Sequence, residues 1–202
     1  MLFMDHGLFR ILYGNRGRVS EELWRSAQPS PGQVARFARA GGRTVVNLRG
    51  GREHGSWPLE RDACARHGLR LVDFVLRSRE APDRDAILAT AAFLETLEYP
   101  VLVHCKSGAD RAGLFAALYL ILRRGATVAE ARGQLALRFG HFRHAKTGIL
   151  DAFLDAYERE GEAQGNRFAD WAERIYDPVA LARDFRPRLW STLLADRLIR
   201  RE

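Results

Sequence analysis

Lysine and cysteine are nearly missing from this sequence. Two lysines, Lys106 and Lys146, stand against thirty arginines. Cys64 and Cys105 are the two cysteines. That is too few for a disulfide framework, and a reducing compartment fits. Long apolar runs are missing as well. The longest, Ala112 to Leu122, has eleven residues, too short to cross a bilayer. Asp5 and His6 stand where a signal peptide would carry a basic start and an apolar core. A cytoplasmic protein is the expectation. There is no internal repeat, no low-complexity stretch, no zinc-finger spacing and no RNA-binding pattern of interleaved aromatic and basic residues. No nucleic acid partner is expected. What is present is an ordinary globular mix, 47 % hydrophobic and 28 % charged over 202 residues, enough for one sizeable core. The net charge of +7 favours an anionic partner, a phosphorylated substrate or a membrane surface.

Strands and helices alternate along the first 125 residues. Short strands are expected within residues 8–26. Ser30-Pro31 opens a helix that stops at Gly41-Gly42. Thr44–Leu48 reads as a buried strand, Pro58–His67 as a helix and Leu69–Leu76 as a strand. A long helix is expected over Pro82–Glu98, then a strand over Val101–His104 and an apolar helix from Ala112 to Arg123. Thr127 caps a helix running to about Phe139, and another runs from about Thr147 to Glu160. The pattern predicts an α/β fold. Its central sheet is mostly parallel, of about four to five strands, flanked by helices. Ligands bind beyond the carboxyl ends of such strands. Cys64, in a helix, reads as inert packing. Cys105 lies at a strand end.

The stretch around it is Val-Leu-Val-His-Cys-Lys-Ser-Gly-Ala-Asp-Arg-Ala-Gly, residues 101–113. Between the strand and the next helix, the backbone amides of Lys106, Ser107, Gly108, Ala109 and Asp110 have no sheet partner. Gly108 allows a tight curl. Converging amides form an anion nest, and the helix start adds partial positive charge. Phosphate fits such a nest, and Arg111 can grip two of its oxygens in parallel. The same surroundings favour a thiolate at Cys105. A cysteine beneath a bound phosphate can attack phosphorus, and water can then release the phosphocysteine. His104 reads as a support of the loop.

These residues resemble the signature loop of the cysteine-dependent phosphatases, His-Cys, five residues, Arg. The resemblance covers roughly residues 20–158, and its order of strands and helices is similar to the dual-specificity branch. It implies a dual-specificity-phosphatase-like fold and hydrolysis of phosphate monoesters without a metal or other cofactor. Cys105 takes the nucleophile's place and Arg111 the phosphate-binding arginine's. Two departures from the pattern stand out. Ala112 occupies the position where the family usually carries a serine or threonine that assists thiolate departure. The family's general acid is commonly an aspartate on a loop about thirty residues before the cysteine. Counting back reaches Asp73, inside a predicted strand. Glu80, Asp83 and Asp85 follow, the last two at a helix start, where acids pair with the helix dipole. Asp110 is the better candidate. Its place beside Arg111 is similar to that of the loop aspartate in myotubularin- and Sac-type lipid phosphatases and some bacterial atypical members. A bound phosphate dianion favours its protonated form. The alternative is a carboxylate bracing the loop through an arginine.

Both lysines fall at candidate substrate contacts. Lys106 is in the loop. Lys146 is in Gly140–Gly148, a connection that in the related fold reaches back over the active site. His144, with His141 and Arg143, adds positive charge there. Arg77 and Arg79 follow another strand end, and Arg49 is a weaker candidate. So many cations lean the substrate towards a phospholipid or a polyphosphorylated, inositol-phosphate-like molecule, lipid A or phosphatidylglycerophosphate headgroups being examples. The alternatives are a phosphoprotein, through protein tyrosine or dual-specificity phosphatase activity, and phosphate binding without turnover, as in a pseudophosphatase. Residues 1–160 are expected to form the catalytic domain. Residues 161–202 are expected to form an amphipathic helical extension, packed on that domain or lying on an anionic membrane at the inner face.

Overall fold

The computed structural model describes residues 15–50 and 56–187. The chain divides into two compact units. The first takes in the chain up to Leu76 together with Leu97–Ala112, and the second Arg77–Thr96 together with the chain from Gly113 onward.

The first unit is a five-stranded sheet with two helices. Its strands are β1 (Gly17–Arg18), β2 (Leu23–Ser26), β3 (Thr44–Asn47), β4 (Arg70–Asp73) and β5 (Val101–His104). The order is β1-β2-β5-β3-β4, parallel except for β1. Trp24, Leu102, Val45 and Leu71 lie in register across one face. Helix α1 (Pro31–Arg39) contributes Val34 and Phe37 to the same core, and α2 (Trp57–Arg66) contributes Ala63 and Cys64. Burying a side chain the size of Phe37 is worth about 1.5–3 kcal/mol. Ser30 and Gln33 close a capping box at the start of α1, with Pro31 in its first turn. Every residue of β5 is buried, as a central parallel strand requires. Its carboxyl end leads straight into the Cys105 loop.

The second unit is helical: α3 (Arg84–Glu95), α4 (Arg111–Arg124, whose first two residues belong to the first unit), α5 (Val128–Ala131), α6 (Ile149–Glu160), α7 (Phe168–Arg174) and α8 (Pro178–Asp184). The helix expected from Thr127 to Phe139 breaks after one turn. Two 3-10 turns, Arg132–Gln134 and Leu137–Phe139, replace it. Gly133 costs about 1 kcal/mol in a helix interior. Arg132 is bound to Asp155 and Glu158 of α6, and Gly140 ends the segment at φ +73°. Phe168, Trp171 and Tyr176 pack edge-on or tilted around Phe153 and Tyr157 of α6, so the described part of the extension is packed on its own unit. Arg183 is neutralised by Asp184 at 2.8 Å. Arg188, Arg197, Arg200 and Arg201 lie outside the described residues. Among the described residues, no helix is long and apolar enough to cross a membrane.

Candidate active site

The segment from His104 to Arg111 runs from the end of the central strand to the first residue of α4. Cys105 is 2 % exposed, and its Sγ accepts a hydrogen bond from the Gly108 N–H at 3.2 Å. Gly108 sits at φ +73°, and a Cβ there would fall 2.5 Å from the Ala27 nitrogen. Only glycine takes that turn at that distance. The loop is thus curled tightly enough for the amide three residues on to face the sulfur. The Ser107 hydroxyl accepts from the Ala109 N–H at 3.3 Å. Arg111 is half-buried, Asp110 is buried, and Ala112 is fully buried.

The outer side of the loop is held by polar groups around the end of β2. The Gln28 N–H donates to the Lys106 carbonyl at 3.2 Å. Asn15 Nδ2 donates to the Ser107 carbonyl at 2.8 Å. Arg25 Nη2 donates to the Gly108 carbonyl at 2.7 Å and to the Ala109 carbonyl at 3.1 Å. Four consecutive carbonyls are therefore turned outward. Asn15, Arg25 and Gln28 were not singled out in the sequence. The available signal was Arg25 itself, a charge between Leu23 and the interior of a parallel sheet. Such a residue is buried only with partners.

Behind the loop lies a second buried network. His104 Nε2 is 2.7 Å from Glu60 Oε1, at ion-pair distance but off hydrogen-bond alignment. Gln28 Nε2 donates to Glu60 Oε2 at 2.9 Å. Arg49 Nη1 donates to Gln28 Oε1 at 3.0 Å and to Ser56 Oγ at 3.2 Å. His104, expected to support the loop by hydrogen bonds, instead meets Glu60 at ion-pair distance, a partner the sequence did not reveal. Arg49 is a brace of this network. Burial, with the Glu60 carboxylate nearby, pushes the Cys64 thiol up to about 12, which fits an inert packing residue.

The remaining acids have other occupations. Asp73, at the end of β4, accepts from Asn47 Nδ2 at 2.8 Å. Asp83 caps α3 by accepting the Ala86 N–H, and Asp85 is in that helix's first turn. Glu80 pairs with Arg77 at 2.9 Å, both exposed. Asp110 alone of these acids is in the cysteine loop. Arg77, Arg79, His144 and Lys146 belong to the second unit. Arg79 is half-buried; His144 and Lys146 are exposed, Lys146 opening a 3-10 turn before α6. In the same connection His141 Nε2 meets Asp151 Oδ2 at 2.6 Å, and Arg143 pairs with Asp155 at 2.7 Å. Among the described residues, no group of three or more His, Cys, Asp or Glu is arranged to hold a metal ion.

Comparison with known proteins places this loop in a family. Residues 15–150 match the family described as DSP-PTPase phosphatase fused to NAD+ kinase. The dual specificity protein phosphatase TpbA of Pseudomonas aeruginosa is 31 % identical over 164 residues, covering 77 % of this chain and 66 % of TpbA. The chain thus spans just under two thirds of that relative's length. A crystal structure of a Cys-to-Ser variant of TpbA in complex with pTyr superposes with a TM-score of 0.59 at 25 % identity, covering 84 % of this chain and 91 % of that one. PTPMT1 shares the fold at a TM-score of 0.52 and 17 % identity, covering 75 % of this chain and 99 % of its own. The matched span holds the whole strand, cysteine loop and helix start, and the chain belongs to the DSP-PTPase phosphatase family.

Proposed function

We propose that the chain hydrolyses phosphate monoesters through a phosphocysteine at Cys105, without a metal. The observation that carries this reading is the curl of Cys105–Arg111, with the Gly108 N–H on the sulfur and α4 beginning at Arg111. In the first step Cys105 Sγ attacks phosphorus. The bond to the ester oxygen breaks, and that oxygen leaves with its electron pair and takes a proton from the Asp110 carboxyl. Arg111 and the loop amides hold the equatorial oxygens, where charge accumulates in transfer. In the second step water attacks phosphorus and gives its proton to Asp110, and the S–P bond returns its pair to sulfur. Ala112 offers no hydroxyl to assist that departure, so the intermediate decays slowly.

For the substrate, an aryl phosphate such as phosphotyrosine is the first reading. It is supported by TpbA having been solved with pTyr. The cations that pointed elsewhere are partly occupied: Arg77 by Glu80, Arg143 by Asp155, Arg49 by Gln28 and Ser56. The second reading, a phospholipid or inositol polyphosphate at an anionic membrane, keeps Lys106 and Lys146 as its support. The test is phosphate release in one buffer from a phosphotyrosine peptide, a phosphothreonine peptide, an inositol polyphosphate and anionic phospholipids in mixed micelles. Cys105→Ser runs beside the wild type. Fastest turnover of the phosphotyrosine peptide supports the first reading. Fastest turnover of the lipid or polyphosphate overturns it in favour of the second. Release unchanged in Cys105→Ser rejects the mechanism.

A further inference from the structure

An anion nest requires peptide planes that stay turned the same way. Across a trans peptide, the N–H of one residue points opposite to the carbonyl of the residue before it. Fixing the carbonyls of residues 106–109 outward therefore turns the N–H groups of Ser107, Gly108, Ala109 and Asp110 to the inner side of the curl. The Gly108 N–H shows this orientation by reaching Cys105 Sγ. Arg25 fixes two of the four planes from a single terminal nitrogen, one hydrogen to each carbonyl. It is 1 % exposed. A guanidinium is costly to bury unless paired, so its place in β2 calls for a function beyond filling space. Asn15 fixes a third plane from the segment before β1.

We propose that Arg25, seconded by Asn15, is a positioning residue. It touches no substrate. It sets the affinity of the loop for a tetrahedral oxyanion by locking the Gly108–Ala109 and Ala109–Asp110 peptides in the binding orientation. The proposal rests on the phosphatase reading above for its consequence in turnover, but the oxyanion affinity can be read without turnover. The planar guanidinium fork holds the two hydrogens of Nη2 in fixed directions, one at each carbonyl, whereas a lysine ammonium at the end of an unbranched stem is less constrained. Removing the fork frees both planes to turn their carbonyls inward, against the anion.

The experiment uses the full chain as wild type, Arg25→Met, Arg25→Lys and Asn15→Ala. Tungstate affinity is measured by its protection of Cys105 from iodoacetate. Beside it run kcat and KM on p-nitrophenyl phosphate, and Tm. Arg25→Met is expected to weaken tungstate binding roughly 10- to 100-fold, by analogy with the loss of metal affinity when a hydrogen-bond partner of a metal ligand is removed. KM should rise with it. Arg25→Lys should recover part of the loss, and Asn15→Ala should fall between Arg25→Lys and wild type. A lower Tm with unchanged tungstate affinity and KM reduces Arg25 to a structural residue and overturns the proposal. If Arg25→Met does not fold, unchanged affinity in both Arg25→Lys and Asn15→Ala overturns it equally. A wild type that binds tungstate without turning over substrate fails as a hydrolase, yet the variants still decide the clamp. A wild type without tungstate affinity ends both.

Discussion

The first unit buries charge and the second buries rings. Arg25, Arg49, Glu60, His104 and Asp110 are all buried in the sheet unit, around one loop. In the helical unit the interior is Phe153, Phe168, Trp171 and Tyr176, with the His141–Asp151 pair as its buried charge among the described residues. Aromatic burial is favourable wherever shapes fit. Buried charge is favourable only when every group is matched, and a matched set has few alternative arrangements. The sheet unit has accepted that constraint where a loop must hold one shape. Substitutions in the first unit should therefore alter chemistry more than stability, and those in the second the reverse.

The largest effect is expected at the nucleophile. Cys105→Ser should lower kcat by at least about 10³-fold with little change in Tm, because a loop nucleophile acts as part of a unit. Arg111→Lys comes next. It replaces a bidentate fork by a point charge and should lower kcat/KM by roughly 10²- to 10³-fold, read on the same aryl phosphate. Asp110→Asn sharpens the assignment of the acid. kcat/KM, which reports the first step, should fall about 10²-fold for alkyl phosphates, whose leaving groups need a proton, and much less for p-nitrophenyl phosphate. An equal fall on both would make Asp110 a brace. Trp171→Ala tests the other side of the comparison. It should cost about 3–5 kcal/mol of stability by urea titration, while kcat measured well below the transition stays near wild type. The smallest effect separates the thiols. Iodoacetamide at neutral pH should label Cys105 and leave Cys64 untouched, since the Cys64 thiol, pushed up to about 12, stays protonated. Mapping the alkylated peptide by mass spectrometry checks this.

Much of the candidate site could be named from the sequence because its residues are adjacent in the chain. Strand, His-Cys, glycine and arginine follow one another within Val101–Gly113. The supports were not legible, because they arrive through topology. Arg25 reaches Gly108 and Ala109 because β2 lies parallel beside β5, and Asn15 reaches Ser107 from just before β1, which pairs with β2. Glu60 meets His104 from a helix whose sequence marks it as an ordinary first-turn acid. The helix expected over Thr127–Phe139 failed for a similar reason. Its cap was correct, but Gly133 weakened it and the tie from Arg132 to α6 was invisible in the local pattern.

The central claim is a covalent phosphoryl group on Cys105, and one measurement reaches it directly. Wild type and Cys105→Ala are mixed with p-nitrophenyl phosphate, quenched in acid within the first turnovers, and weighed as intact protein. The account predicts a mass gain of one phosphoryl group in the wild type, mapped to Cys105 and prolonged by the missing hydroxyl at Ala112, and none in the variant. Phosphate release with no adduct on the wild type, or release that survives in Cys105→Ala, would contradict it.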